Sequence, residues 1–381
     1  MLSVPLDLCA FADDDAPRPD LLPDALKELA QVPWWARLAC RLLYERALGS
    51  ASEYAPYLAL VPTELTTTPL VDDEAIQFLT ACYPPGGQKC EALRNAVAAA
   101  FAFLCTSTHS AALLSGASYE QFRTAVAVVH SRCYGYPDYE RRRWVRIMVP
   151  LADIANHGGD RGLPPPNVMW RPIADDGNLR WDVHEGCLLL SATRNLQPGE
   201  EALFSYREQS NDHFLLYYGF IPGDNPHDDL VLFDDVDDMI AWWREAYQPG
   251  QSDASLEARM RAARAAAATV ETDVRAGDGA DMLDDAGVNT RQFKALAGLR
   301  EDLRLTASMA ACFGGNERAA QEAVARRRAE IRDALHAALE SPGLSSVVRD
   351  YLLHKSRIAN EPFAMPNPPT EEDAAWWRDR R

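Results

Sequence analysis

Between Val149 and Phe220 the chain carries Asp153, Asn156, His157, Tyr206, Asn211 and Tyr218, polar residues able to do chemistry, set among short apolar runs and sharp turns. Several common kinds of catalysis find little support in them. Asn156-His157 after a strand is the sequence of an ordinary turn. The adjacent His184 and Glu185 would point to opposite faces of a strand, so metal-assisted hydrolysis is weakly supported and no metal site is assigned. Residue counts leave a Ser/His/Asp triad open, yet there is no GxSxG elbow, and Ser205 in EALFSY has no glycine on either side. Cys133 or Cys187 with a distant histidine is equally unanchored. No GxGxxG or Walker A sequence occurs, so binding of a dinucleotide or a nucleoside triphosphate is unsupported. What remains is a set of phenol, amide and imidazole groups without a paired carboxylate.

Short strands are expected to hold these groups. VRIMVP alternates, LLLSA (188–192) is a buried-type run, and EALFSY (201–206) reads as a third strand. Gln197-Pro198-Gly199-Glu200 makes the turn between the last two. SNDHFLLYYGF reads as a helical turn ending at Gly219, and DDLVLF (228–233) as a final strand. Short strands with irregular connections suggest a small β-rich domain and not a doubly wound sheet.

Helices flank this region on both sides. Residues 1–8 alternate weakly, as a strand would, before an acidic, proline-punctuated stretch. WWARLACRLLYERALG places Trp35, Leu38, Leu42 and Leu43 on one helical face, with Gly49 as a stop. A connector, SEYAPYLALVP, leads to a short helix over 72–80, and PPGG at 84–87 is expected to break the chain. Residues 91–105 are apolar nearly all round (Val97, Phe101, Leu104), as a buried helix would be. Ser118 and Gln121 form a capping-box signature for a helix with Phe122, Val126 and Val129 on one face. From about Asp237 four helical segments are predicted: LEARMRAARAAAATV, RQFKALAGLREDLRL, NERAAQEAVARRRAEIRDALHAALE and LSSVVRDYLLHKSRI. Leu344, Val347, Val348 and Tyr351 keep the helical period, and Val324, Ile331, Leu335 and Leu339 follow it more loosely. The acidic loop GDGADMLDDAGVN lacks the glutamate an EF-hand requires.

At 381 residues the chain is too long for one ordinary core, so two domains are expected. An apolar fraction of 47% with 25% charged residues fits a globular protein, and no apolar run reaches the roughly 18–20 residues of a membrane span. A formal charge of −18 argues against nonspecific nucleic-acid binding and suits a basic protein partner. Eight scattered cysteines without a CxxC pair argue against a zinc cluster and for a reduced, intracellular setting. The start of the chain is unlike a signal or transit peptide.

Several ordered blocks resemble the SET-domain methyltransferases, in the branch of the Rubisco large-subunit lysine methyltransferases. PLADIANH matches that branch's P-L-x-D-x-x-N-H, and PGEEALFSY resembles G-E-[EQ]-[ILV]-x-x-x-Y with Ala202 at the aliphatic position. SNDHFLLYYGF resembles S-N-x-x-[LF]-L-x-x-Y-G-F, and Arg132 in VVHSRCYGY matches S-R-x-[FY]. Asn225-Pro226 before DDLVLF also fits. Upstream, LLYERALGSASEYAPYLALVP resembles the family's L-x-x-E-x-x-x-G-x-x-S-x-[WY]-x-P-Y-L-x-x-[LV]-P; downstream, GLREDLRL and RDYLLHKSRI are looser matches. Together these cover most of residues 33–360.

The resemblance implies an α+β fold. A SET domain of short strands would span 1–236, with a helical insert at about 33–133 and a core at about 134–236. An all-α substrate-binding domain would follow over 237–360, then a proline-rich tail over 361–381. The implied activity is methyl transfer from S-adenosylmethionine (SAM) to a lysine of a non-histone protein, since the cysteine cluster of the zinc-bearing histone enzymes is missing. By the same resemblance Tyr206 is catalytic, Arg132 lies near the cofactor carboxylate, Asn156 and the backbone around His157 hold the cofactor, and Tyr218 forms part of the channel wall. The implied partner is a protein presenting a lysine, with no nucleic acid and no membrane, and the chain is expected to be a monomer. Cytoplasm or nucleus is the expected compartment, with the chloroplast suggested by family analogy alone.

Two departures bear on this. Family members begin with a strand and turn carrying a G-x-G-like motif that contacts the cofactor; this chain shows none, and MLSVPLDL resembles the strand just after it. Either the sequence is truncated or misannotated at its start or part of the cofactor site is lost, so a catalytically impaired SET-like binding module is the competing expectation. One relative of the branch methylates a histidine of actin, and carries Asn and Trp where this chain has Tyr134 and Ala152. On that ground lysine is expected as the acceptor, with histidine as the alternative.

Overall fold

The computed structural model describes residues 2–5, 9–11, 32–62, 70, 72–106, 114, 116–138, 143–159, 164–173, 186–223, 225–250, 253–269, 292–296 and 302–360. The loop at 277–289 and the tail at 361–381 lie outside the described residues. The architecture is α+β, in two compact units whose boundary falls between Gly223 and Asn225.

The N-terminal unit is built from short strands and a helical insert. Strands β1 (Leu2–Pro5) and β2 (Ala10–Phe11) precede helix α1 (Trp34–Leu48), a short α2 (Ala55–Leu58), α3 (Asp73–Cys82), α4 (Pro84–Thr106) and α5 (Tyr119–Arg132). Then come β3 (Cys133–Asp138), β4 (Arg143–Met148), β5 (Asn156–His157), β6 (Val168–Ile173), β7 (Cys187–Ala192) and β8 (Leu203–Phe204). Three small sheets result: antiparallel β1-β7-β6, antiparallel β2-β4-β3, and a parallel pair of β5 with β8. Strand β1 pairs Leu2 with Leu190 and Val4 with Leu188, so the weak alternation at the start of the chain is enough when a buried partner strand is present.

The capping box at α5 forms as the sequence requires. The Ser118 hydroxyl accepts from the Gln121 N–H at 3.2 Å, and the Gln121 carbonyl oxygen accepts from the Ser118 N–H at 2.8 Å. Phe122, Val126 and Val129 are buried, facing the α1 stripe of Trp35, Leu38 and Leu42. Leu43 is only half-buried.

PPGG does not break the chain; it is the first turn of α4. Prolines suit a helix start, where their missing N–H groups would lack a partner anyway. The glycines answer a packing need, because a Cβ at Gly87 would collide with the Thr80 backbone of α3. Gly87→Ala is expected to lower unfolding stability by about 1–3 kcal/mol, the cost of overpacking a tight contact. Urea denaturation checks this, and a wild-type midpoint would show that the two helices separate freely. Helix α4 is also not apolar all round: Val97 and Leu104 are buried, whereas Phe103 is 49% exposed. Phe101 sits between these extremes, against Tyr119 and Phe122.

After β8 the chain forms one turn of α-helix, Asn211–His213, and passes into a π-helical turn, Phe214–Tyr218. Gly219 closes it in the left-handed region (φ 72°), its N–H donating to the Phe214 carbonyl at 2.9 Å. The half-buried Lys89 of α4 pairs with Asp212 at this turn.

The C-terminal unit contains β9 (Asp229–Phe233), α6 (Val236–Tyr247), α7 (Ala254–Thr269), β10 (Phe293–Leu296), α8 (Leu303–Cys312), α9 (Glu317–Leu339) and α10 (Ser346–Asn360). The 237–360 stretch is thus not all α. FKAL, expected within a helix, pairs antiparallel with β9 as β10. Phe293 and Ala295 are buried and Lys294 between them pairs with Asp229 at 2.8 Å, a period of two that an edge beside β9 selects. Lys355 of α10 is fully buried, donating to the Asp228 carboxylate at 2.9 Å and the Asp229 carbonyl at 2.6 Å. Among the described residues no helix is long and apolar enough to cross a membrane.

Candidate active site

Helix α5 ends at Arg132 and the next residue already belongs to β3, so the guanidinium emerges where helix and strand meet. Opposite it, the chain leaves β4 through Leu151, a non-glycine residue at φ 69°, into a 3₁₀ turn at Ala152–Ile154. Such a backbone costs about 1–3 kcal/mol and persists only where surrounding contacts enforce it. Those contacts converge on Asp153. Its carboxylate accepts from the Tyr57 hydroxyl of α2 at 2.6 Å and lies 3.6 Å from Arg132 Nη1, which also donates to the Asp153 carbonyl at 2.9 Å. The Asp153 side chain is wholly buried, and burial raises its pKa against the opposing pull of Tyr57 and Arg132. Burial, then the Asp153 charge, drives the Tyr57 phenol well above its ordinary value.

Tyr206 follows β8. The strand is shorter than expected because Asn167 takes over the pairing: its Oδ1 accepts from Leu203 N–H at 2.9 Å and its Nδ2 donates to the Glu201 carbonyl at 2.8 Å. The Tyr206 N–H donates to His157 Nδ1 at 3.0 Å, which fixes the proton of that ring on Nε2. The Tyr206 hydroxyl donates to the Ala155 carbonyl at 2.9 Å, leaving its oxygen lone pairs available. Burial pushes its pKa up to about 12, so the phenol keeps its proton across the physiological range. Arg207, next in the chain, takes φ 80° and turns the backbone away.

These pieces line a half-open cleft, with Arg132, Tyr134, Asp153, Trp170, Phe204, Tyr206, Arg207 and Tyr218 among its walls. Four of the residues singled out from sequence, Arg132, Asp153, Tyr206 and Tyr218, meet there; the Tyr206 and Tyr218 rings are 4.8 Å apart. Two others are placed elsewhere. The Asn156 side chain is exposed and donates to Glu201 Oε1 at 2.6 Å. His157 is buried against Tyr206, Phe214 and Phe220, and supports Tyr206 from behind. Sequence reading did not place Tyr57, Trp170 or Phe204 at the site, and named Tyr134 only as an acceptor-selecting position. Tyr57 and Asp153 lie inside matched blocks, so block position was the available signal; nothing in the sequence marks Trp170.

Behind the cleft, His130 of α5 is buried among Trp34, Trp35 and Tyr217, and neither ring nitrogen has a hydrogen-bond partner among the described residues. Burial, with a smaller contribution from His213, lowers its pKa from 6.5 to about 3. The unfolded chain therefore binds more protons than the folded one between these values, and stability falls as pH drops below about 6.5. His130 alone is expected to cost about 1.4 kcal/mol at pH 5.5 relative to neutral pH. Urea unfolding of wild type and His130→Leu at pH 7.5 and 5.5 checks it, since the variant should lose less stability on acidification by that amount.

No family model matches the chain. Its fold is similar to the SET domain of LSMT bound to lysine and AdoHcy (TM-score 0.56, 16% identity, covering 100% of this chain and 81% of that one). It is likewise similar to Rubisco LSMT bound to sinefungin and monomethyllysine (TM-score 0.57, 15% identity, 100% and 82% covered). The fold is thus similar to that of the SET domain. In sequence, the chain is similar to the actin-histidine N-methyltransferases of Danio rerio, Callithrix jacchus and Homo sapiens, 28% identical in each case over 199 residues, or 51% of this chain. The chain spans about a third (31%) of the length of these curated relatives.

Proposed function

We propose that the chain is a SAM-dependent protein N-methyltransferase acting on a lysine of a non-histone protein. The observation that carries this reading is the Tyr206 phenol: it lines a partly buried cleft beside Arg132, is held by the Ala155 carbonyl and is braced by His157. The cleft suits the methyl donor on one specific count. Arg132 Nε is buried without a hydrogen-bond partner among the described residues, a donor that fits a carboxylate. When bound, SAM supplies an electrophilic methyl group on a positively charged sulfur. Tyr206 would offer its oxygen lone pairs to that positive region while its own proton is donated to the Ala155 carbonyl. The one carboxylate among the described lining residues, Asp153, is engaged by Tyr57 and Arg132, so it serves to position Arg132 and its own carbonyl. An acceptor amine, with pKa near about 10.4 in water, loses its proton more readily in this apolar cleft because burial disfavours the ammonium form.

Lysine is favoured over histidine by Tyr134 and Ala152, where the histidine-methylating relative carries Asn and Trp. Tyr134 is buried and donates to the Ala152 carbonyl at 2.8 Å, so the two positions form one wall. The similarity to actin-histidine N-methyltransferases favours the second reading, a histidine acceptor. In either case the C-terminal helices would dock the protein substrate. Incubation with labelled SAM and candidate proteins, followed by hydrolysis, decides the acceptor: label recovered only in methylhistidine would overturn the lysine assignment. Calorimetry with SAM separates both from a binding module that has lost catalysis, for which no cofactor binding is expected.

A further inference from the structure

Tyr57 reaches the cleft from the helical insert. Its helix α2 has four residues with Pro56 near its start, and the chain is tied down on both flanks. Before it, the Ser52 hydroxyl donates to Glu45 of α1 at 2.7 Å and accepts from the Tyr54 N–H at 3.0 Å, while Arg41 donates to the Tyr54 hydroxyl at 3.1 Å. After it, Arg46 donates to the Pro62 carbonyl at 2.8 Å. The Tyr57 ring is therefore held in one place, and the single hydrogen of its hydroxyl goes to Asp153. That contact is 2.6 Å long, against 3.6 Å from the same carboxylate oxygen to Arg132 Nη1. The second oxygen, Oδ1, is buried with no hydrogen-bond partner among the described residues. The titratable and charged groups facing the carboxylate are Tyr57 of α2, Arg132 at the end of α5, Tyr134 of β3 and Tyr206 after β8; Cys9 and Arg132 face the Tyr57 phenol. Burial raises the Asp153 pKa, and the Tyr57 hydrogen bond is the largest single influence in the other direction.

The charge on that carboxylate bears on what the cleft can hold. Arg132, Arg207 and Asp153 are the charged groups among its described lining residues. SAM carries a positive sulfur, and its product S-adenosylhomocysteine (AdoHcy) a neutral one. Methyl transfer breaks the S–CH₃ bond and leaves its electron pair on sulfur, while the amine lone pair forms the N–CH₃ bond and nitrogen takes the positive charge. We propose that Tyr57 is a positioning residue that keeps Asp153 an anion, and that this anion makes the cleft favour the cationic donor over its neutral product. This rests on the methyltransferase reading. A negative charge in a site partly closed to water attracts a cation more strongly than it would in water, and acts far less on a neutral sulfide. A protonated Asp153 would leave the like charge of Arg132 with no carboxylate against it among the described lining residues. Tyr57→Phe removes the hydrogen bond to the charged form, so the Asp153 pKa rises further. The anion, and the preference with it, is present above that raised value and lost as pH falls through it.

The test is calorimetry on the whole chain with SAM and with AdoHcy, at about pH 8 and about pH 6.5. The quantity read is the ratio of dissociation constants, AdoHcy over SAM, in each variant against the wild type at the same pH, so that titration of the ligands themselves cancels. Asp153→Asn, neutral at every pH, is expected to lower the ratio about 5-fold at both. Tyr57→Phe should lower it by a similar factor at the lower pH and by less at the higher, a pH dependence that a packing role for the ring would not produce. Recovery at the higher pH also shows that this variant is folded. A ratio unchanged in Asp153→Asn, or in Tyr57→Phe at both pH values, overturns the inference, even where both ligands bind more weakly. A wild type that binds neither ligand overturns the methyltransferase reading and this inference with it. A wild type that binds both, with a ratio that neither variant moves, overturns this inference alone.

Discussion

Tyr206→Phe is expected to lower the turnover of methyl transfer at least about 100-fold, the usual cost of removing one polar group aimed at a developing charge. The dissociation constant for SAM should stay within about 2-fold. The separation follows from how the residue is held. The bond that fixes its backbone, Tyr206 N–H to His157 Nδ1, survives the change, and so does ring packing against Phe204 and Tyr218. Only the hydroxyl and its bond to the Ala155 carbonyl are lost, a loss of about 1 kcal/mol in stability. Steady-state turnover on an identified acceptor, with calorimetry for SAM, reads both quantities. Unaltered turnover would mean that the phenol is a packing residue at a strand end.

Asp153→Ala is expected to be the most damaging single change to folding in this region, at about 3–5 kcal/mol, because it strands one partner of a buried ion pair. Removing the carboxylate leaves the Tyr57 hydroxyl with no acceptor and Arg132 with no counter-charge. Asp153→Asn should cost much less. Burial raises the carboxyl pKa above its usual 3.8, so holding the charged form at neutral pH already costs stability; the amide removes that cost and keeps an acceptor for Tyr57, leaving the loss of Arg132's counter-charge as the cost the two variants share. Chemical denaturation of both variants orders them, and an alanine variant as stable as the wild type would show that the Tyr57–Asp153–Arg132 set contributes nothing to folding.

How far the sequence could be read depended on whether local signals agreed with tertiary demands. The Ser118–Gln121 box and the glycine stop at Gly219 are local devices, and both appear as read. PPGG and FKAL carried local signals that packing overrode: Gly87 is glycine because another helix passes close by, and Lys294 sits in a strand because β9 offers a free side. Arg132, Tyr206 and Tyr218, named from their motif blocks, line one cleft, since block order reflects how the strands are threaded. Side-chain direction was not legible. Asn156 turns to Glu201, a partner 45 residues on that no spacing rule would pick. Trp170 enters the cleft from a strand with no motif of its own, so only its neighbours Tyr134 and Phe204 reveal its place.

The ion pairs of Lys89, Lys294 and Lys355 have a practical consequence for assays. The chain holds four lysines, and Lys27 lies outside the described residues. The other three are each bound to an aspartate, Lys355 with no exposed surface at all. In each pair the amine's N–H groups are donated to a carboxylate, which holds the nitrogen away from an incoming methyl group. Self-labelling, the usual background of methyltransferase assays, should therefore be faint at Lys89, Lys294 and Lys355, and any label on the chain's own lysines should map to Lys27.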